Sequence, residues 1–176
     1  MEQDLEQRVA ELERRLTALE RQDHESPRLG DGDFWALDGL KQQLAGVGEA
    51  GADGGVLFTG AVRLPTGERY EWQYGALTGA LLEEEGEDGD GGAATADSLA
   101  ALGHPVRLRL LREILGGRRT AAELAALDGV GTTGQIYHHL RQLTGTGWLH
   151  TTGRGRYEVP AARVVPLLVV LTAARP

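Results

Sequence analysis

Residues Thr120–Arg141, with the sequence TAAELAALDGVGTTGQIYHHLR, decide the fold. The first four residues have the pattern Thr-x-x-Glu, a capping box in which the two polar side chains bind backbone amides at a helix start. Asp128–Gly131 contains two glycines and ends that short helix. A second helix is predicted over about 132–143, because aliphatic residues recur there at helical spacing. Two short helices joined by a glycine-containing turn predict a helix-turn-helix motif.

The second helix is predicted to have an apolar face and a polar face. Ile136, Leu140 and Leu143 form the apolar stripe. Glutamine pairs with adenine, and arginine pairs with guanine or phosphate. Threonines at a helix N-terminus lie where backbone amides and hydroxyls bind phosphate. The residues of this helix that we expect to contact DNA are Thr132, Thr133, Gln135, Tyr137, His138 and Arg141.

A short β-hairpin is predicted directly after this helix. Two β-prone runs, 148–152 and 156–159, flank Gly153-Arg154-Gly155. Arg154 at the tip and Arg156 on the return strand suit the DNA backbone or the narrow minor groove. A further helix, which begins at His104-Pro105 and runs to Leu115, is predicted before the two helices of the helix-turn-helix motif. Helix, helix, recognition helix and basic hairpin in this order predict a winged helix-turn-helix DNA-binding domain over residues 97–159. The fold class is therefore α+β and mainly helical.

The N-terminal segment, residues 1–22, is predicted to form a coiled coil. Its a and d positions are Leu5, Val9, Leu12, Leu16 and Leu19. Glutamates at e and arginines at g form opposite-charge pairs in a parallel, in-register pair of helices, so the pattern favours a parallel homodimer. A helix packed on its own core is the alternative. Because two heptads are marginal alone, we expect residues 160–174, an apolar helix, to form a second dimer contact. The alternative is that this helix is buried against the N-terminal half of the chain.

An accessory region is predicted over residues 33–82. It contains a helix from Asp33 to Leu44 and a β-hairpin that turns at Pro65-Thr66-Gly67. Aromatic residues alternate on one face of the second strand, and this face is either plain core or the wall of a pocket for a flat ligand. The candidate effector pocket consists of Trp35, Tyr70, Trp72 and Tyr74.

Residues 83–93 are predicted to be a flexible acidic linker. They contain six acidic residues and four glycines, and glutamate and glycine favour solvation over packing. The alternative is that this segment mimics phosphate charge and screens the basic domain. The charges are segregated along the whole chain, since residues 1–99 carry 8 basic and 22 acidic side chains, whereas residues 100–176 carry 10 basic and 4 acidic ones. The net charge of −8 therefore conceals a basic part that suits a polyanion.

Several classes of function are disfavoured by composition. The chain has no cysteine, which excludes disulfides and thiolate metal sites. His138 and His139 are helix neighbours that point about 100° apart, so they do not suit a shared metal ion. We expect no metal site, and we expect no other cofactor. No grouping of nucleophile, base or phosphate loop points to an enzyme. The apolar run Val164–Ala174 is too short to span a bilayer, which needs about 20 residues. The acidic start does not resemble a secretion signal, so a cytoplasmic location is expected.

Four stretches of the chain resemble the ArsR family of bacterial winged-helix repressors. They are LGHPVRLRLL at 102–111, Glu123-Leu-Ala125, Tyr137-His-His-Leu-Arg141 and Gly153-Arg-Gly-Arg-Tyr157. The resemblance covers about residues 99–159 and implies a homodimer on a twofold-symmetric operator, with repression relieved by an effector. It also implies DNA contacts from the 132–141 helix face and from Arg154 and Arg156. The turn before Ile136 is one residue longer than the family's usual turn.

Two functions follow from these observations. The first is a homodimeric, sequence-specific transcriptional regulator, with a small-molecule or protein effector, not a metal, acting on the N-terminal half. The alternative is a protein-interaction module that uses the winged helix and coiled coil without binding DNA. The arginines favour the first and the overall acidity favours the second. Salt dependence distinguishes them, because phosphate contacts weaken steeply with salt.

Overall fold

The structure, a computed structural model, describes Arg8 and residues 34–83, 90–153 and 155–175. The chain divides into two compact units, residues 1–39 and 40–176. The predicted coiled-coil residues Leu5, Val9, Leu12, Leu16 and Leu19 lie outside the described residues, as do Asp33 and Arg154.

The fold is α+β, with short helices and two separate two-stranded antiparallel sheets in its described part. The first elements are α1 (Trp35–Gly46), a 3₁₀ turn (Gly48–Gly51), β1 (Gly55–Arg63), β2 (Arg69–Leu77) and α2 (Thr78–Leu82). The later elements are α3 (Asp90–Leu102), α4 (Pro105–Leu115), α5 (Ala121–Ala125), α6 (Thr133–Gly145), β3 (His150–Thr152), β4 (Arg156–Glu158) and α7 (Ala161–Ala173). Among the described residues, none of these helices has the length and apolar character needed to cross a membrane.

Helix α3 begins earlier than the sequence analysis expects. It starts at Asp90, so the last four residues of the predicted linker, 90–93, are helical. Alanines at positions 93, 94 and 96 favour a helix strongly enough to extend it across two glycines. The prediction of a linker is therefore wrong for residues 90–93, and residues 84–89 lie outside the described residues.

The β1–β2 hairpin turns at the predicted Pro65-Thr66-Gly67. Its register pairs Phe58 with Tyr74, Gly60 with Trp72 and Val62 with Tyr70. Because side chains alternate along a strand and directly paired residues share a face, these six residues lie on one face of the hairpin.

Helix α7 packs against this face at Gly60, the one residue of the six that has no side chain. A Cβ atom added at Gly60 would lie 2.6 Å from Cγ1 of Val165, which is 1% exposed. Val62 and Tyr70 contact the core, whereas Trp72 and Tyr74 remain exposed. The aromatic face is thus core at the turn end of the hairpin and surface at the other end.

One apolar core joins the hairpin to the later helices. Leu64, directly after β1, belongs to the same buried cluster as Ile114 of α4 and Leu124 of α5. Helix α6 contributes Ile136, Leu140 and Leu143, and α7 contributes Val164 and Leu167. The hairpin and the helical region are therefore parts of one compact unit.

The contact between Gly60 and Val165 can be tested by Gly60→Ala. The added methyl overpacks the interface, so we expect the free energy of unfolding to fall by about 1–3 kcal/mol, measured by urea denaturation. Gly79→Ala, where the added Cβ meets nothing within 4 Å, is the matched control and should not lower stability. The cost of Gly60→Ala should shrink in a Val165→Ala background. An equal cost in both backgrounds would contradict this contact.

Candidate functional site

The start of α6 is fixed by a capping box. Thr132 N donates to Gln135 Oε1 at 2.8 Å, and Gln135 N donates to Thr132 Oγ1 at 3.4 Å. Gly131 precedes it with φ of 93°, and a Cβ there would lie 2.5 Å from Gln135 Oε1, so only glycine fits. The side-chain oxygen of Gln135 therefore accepts a hydrogen bond at the helix start. The NH₂ group of Gln135 remains as a hydrogen-bond donor for a binding partner.

Helix α6 has a buried apolar face and an exposed polar face. Ile136, Leu140 and Leu143 are at most 1% exposed, as their spacing predicts. The exposed residues of α6 include Thr133, Gly134, Gln135, Tyr137, His138, Arg141 and Gln142. This face is a row of hydrogen-bond donors and acceptors on a rigid, well-packed helix.

Two arginines of α4 hold α6 and the turn before it. Arg107 Nη1 donates to Gln142 Oε1 at 2.7 Å, and its Nη2 donates to the Ala100 carbonyl at 2.8 Å. Arg109 donates to the carbonyl of Asp128 in the turn between α5 and α6. These contacts connect α4 to α6 and to the turn that precedes it. Sequence patterns do not reveal them, because the partners of Arg107 and Arg109 on this side are 35 and 19 residues away.

The side chain of His139, a residue of α6, lies against the start of α4. Its ring centroid is 4.7 Å from that of His104, whose Nδ1 accepts the Val106 amide and caps α4. His139 Nδ1 is buried without a hydrogen-bond partner among the described residues. Burial lowers the pKa of His139, and the nearby charges of His104, Arg107 and His138 lower it further. No group of three or more metal-ligating side chains that could hold an ion is present in the described part of the chain.

The β3–β4 hairpin carries Arg156, which is exposed, while Arg154 lies outside the described residues. Arg156 pairs with Thr120 through a β-bridge, and Tyr157 N donates to the Arg119 carbonyl at 2.7 Å. The segment before α5 thus forms the neighbour of β4 and fixes the base of the hairpin.

Arg119, at the base of the β3–β4 hairpin, is a residue that the sequence patterns did not identify. Its side chain is 15% exposed and lies within salt-bridge distance of Glu68 and Glu158, at 2.5 and 3.1 Å. The hydrogen bond from Arg119, followed by that from Thr66, lowers the pKa of Glu68. Burial and then the charge of Glu68 raise the pKa of Tyr70.

Three of the four acidic residues after position 100 are engaged by internal partners. Glu113 pairs with Arg118 at 2.9 Å, and Glu158 pairs with Arg119. Glu123 accepts from Thr120 in the predicted capping box, which lowers the pKa of Glu123. Among the described residues Arg141 has no salt-bridge partner. The exposed face of α6 therefore keeps its positive charge.

The four residues of the candidate effector pocket are not brought together in one cavity of the described unit. Tyr70 borders a small cavity beside Arg119 and Glu158, and Trp72 is exposed on the hairpin. Trp35 is exposed and belongs to the first unit. Tyr74 lines a separate open groove of about 280 Å³.

This groove lies between the end of α1 and the open end of the β1–β2 hairpin. Its walls are mostly apolar, and the residues that form them include Leu40, Leu44, Val47, Leu57 and Leu77. The side chains of Gln43, Gln73 and Tyr74 supply polar groups, and none of the described residues that line the groove is charged. An uncharged, largely apolar molecule matches this lining.

No protein family, no curated protein and no solved structure matches this chain. Any function assigned to it therefore depends on its own residues and geometry. The described residues include a polar helix face, a hairpin with an exposed arginine and an uncharged groove.

The environment of His139 predicts a pH dependence of stability. The unfolded chain takes up a proton near the ordinary pKa of 6.5, whereas the folded chain does so only at lower pH. This contribution is present above that pH and is lost as the pH falls, so thermal stability should decrease from about pH 7.5 to about pH 5.5. His139→Phe should flatten this decrease. His150→Phe, at an exposed position on β3, is the control, and equal flattening by both variants would contradict the assignment.

Proposed function

We propose that this protein is a homodimeric, sequence-specific DNA-binding transcriptional regulator, a repressor with a winged helix-turn-helix domain. The observation that carries the proposal is the exposed polar face of α6, held by a buried apolar stripe and followed by an arginine-bearing hairpin. Helices α5 and α6 act as the helix-turn-helix pair, and the β3–β4 hairpin acts as the wing. DNA is the partner, and the protein is not an enzyme and uses no metal.

The dimensions of α6 support its role as the recognition helix. Its 13 residues extend about 20 Å, and the DNA major groove, about 12 Å wide, admits an α-helix. Arg141 offers a bidentate pair of donors to guanine, and Gln135 offers its NH₂ group. Thr132 and Thr133 lie at the helix start, where the first backbone amides meet a phosphate.

The wing supplies a second, sequence-independent contact in this proposal. Arg156 is exposed on β4, and the bridge to Thr120 holds its backbone against the rest of the domain. A guanidinium on a fixed strand suits a phosphate oxygen or the narrow minor groove. We assign affinity to the wing and base preference to α6.

The dimer in this proposal is parallel and forms through residues 1–22. Helix α7 buries Val164, Val165 and Leu167 within its own chain, so only the outer side of α7 is left for a second dimer contact. A twofold-symmetric dimer places its two recognition helices in successive major grooves, about 34 Å apart. Selection of bound sequences from random duplexes tests DNA binding and half-site spacing together. Palindromic selected sites with that spacing support the proposal, and a failure to bind any duplex at low salt supports the protein-interaction alternative instead.

A variant pair tests the division of roles between α6 and the wing. Arg141→Ala should reduce discrimination at one base pair by about 1–3 kcal/mol. Arg156→Ala should weaken binding to all duplexes alike and reduce the slope of log affinity against log salt by about 1. Both effects are measured by fluorescence anisotropy over a salt series.

Arg175→Ala is the control for this pair, because Arg175 is exposed beyond the end of α7. Arg175→Ala also removes one positive charge. It should leave base preference unchanged, and it should change the slope of log affinity against log salt by less than one unit. Equal effects of Arg141→Ala and Arg156→Ala on base preference would contradict the assignment.

The groove beside Tyr74 is the place where we propose that an effector acts. Its uncharged lining suits a neutral, largely apolar small molecule, with the two glutamine amides as hydrogen-bonding groups. N-phenyl-1-naphthylamine is a neutral fluorescent probe of this kind. Its fluorescence should rise on binding the protein, since the dye leaves water for an apolar surface.

Gln43→Glu should weaken probe binding several-fold, because the new carboxylate loses water when an apolar ligand covers it. Gln42→Glu is the matched control, since Gln42 is an exposed neighbour on α1 that does not line the groove. Equal weakening by both variants would place the probe elsewhere.

A further inference from the structure

The turn of the accessory hairpin meets the base of the wing at Arg119. Nη2 of Arg119 lies 2.5 Å from Glu68 Oε2, directly after the turn, and Nη1 lies 3.1 Å from Glu158 Oε1 on β4. The Arg119 side chain is 15% exposed, so solvent screens these pairs less than it screens an ordinary surface pair. One guanidinium thus connects segments that are 51 and 39 residues away from it.

The backbone of Arg119 is also held on two sides. Its carbonyl accepts from Tyr157 N on β4 at 2.7 Å, and its amide donates to Glu123 Oε2 at 3.1 Å. Thr120 then pairs with Arg156 through the β-bridge. Arg119 is therefore fixed both to the wing and to the capping box of α5.

The hairpin turn itself is seated against the same loop. Leu64 is part of the apolar core, and Thr66 Oγ1 donates to Glu68 Oε2 at 2.8 Å. Gly117 has φ of 107°, and a Cβ there would lie 3.0 Å from Cγ2 of Thr66. Glu68 thus presents its carboxylate from a turn that lies beside Gly117 and follows the core residue Leu64.

We propose that Arg119 is a positioning residue that fixes the wing by tying β4 to the turn of the accessory hairpin through Glu68. This inference rests on the proposed function, and it gives the accessory hairpin a second role beside effector binding. The wing needs such support, because its strands have only three residues each and an isolated two-stranded sheet is marginally stable. A wing that is ordered beforehand loses less entropy when it contacts DNA.

The test uses Glu68→Gln, which removes the carboxylate charge, and Arg119→Lys, which keeps the positive charge but loses the fork that spans two carboxylates. Arg118→Lys is the matched control on the neighbouring arginine, whose side chain is 53% exposed and pairs with Glu113. Circular dichroism and thermal unfolding confirm that each variant is folded. ¹⁵N relaxation of residues 155–158 then reports the mobility of the wing.

We expect Glu68→Gln and Arg119→Lys to increase wing mobility and Arg118→Lys to leave it unchanged. On a duplex selected by the wild type, each of the first two should weaken binding about three- to tenfold. Base preference and the salt slope should stay constant, because neither change removes a contact to base or phosphate. A purely structural role would not produce this combination in a folded variant.

The double variant Glu68→Gln/Arg119→Lys should weaken binding by less than the product of the two single effects, because both substitutions act on the same salt bridge. Wing mobility in folded Arg119→Lys equal to that in Arg118→Lys would overturn the proposal. The relaxation measurement needs no DNA, so it decides the role of Arg119 even if the chain binds no duplex.

Discussion

The burial of one apolar stripe on α6 is the constraint on which the rest of the structure depends. Ile136, Leu140 and Leu143 each lose almost all contact with water, and burying an aliphatic side chain of this size contributes roughly 1.5–3 kcal/mol. Together they are comparable with the net stability of a small domain, about 5–15 kcal/mol. A rotation of α6 by one residue would bury Tyr137 in place of Ile136. The core therefore fixes the direction in which the polar face points.

Local signals predicted most helices and strands because their causes are local. The Thr120-x-x-Glu123 capping box and the Pro65-Thr66-Gly67 turn are both present in the structure. Thr132-x-x-Gln135 has the same spacing as the first capping box, but we interpreted Gln135 only as a base-contacting residue. Its oxygen holds the helix start instead. A glutamine three residues after a capping threonine binds the backbone amide at the helix start, and the Thr-x-x-Gln spacing is the sequence signal for it.

Contacts between distant segments could not be predicted, because periodicity gives the face of a residue and not its neighbour. The alternation of Tyr70, Trp72 and Tyr74 identified one face of the hairpin, but the position of α7 depends on Gly60, which leaves space for Val165. Arg119 and Glu68 are likewise 51 residues apart and belong to no motif. The groove also escaped prediction, since the helix end that forms one of its walls is brought there by the fold.

The charge distribution near the wing depends on how the acidic residues Glu68 and Glu158 are paired. Glu158 lies on the same strand as Arg156, only two residues away, and an unpaired carboxylate there would oppose an approaching phosphate. Arg119 neutralises Glu158 from the protein side. Because Glu68 and Glu158 share that one guanidinium, both carboxylates are paired while Arg156 stays exposed. The ion pair that orders the wing in our proposal is therefore also the one that keeps the Glu158 carboxylate paired beside the exposed Arg156.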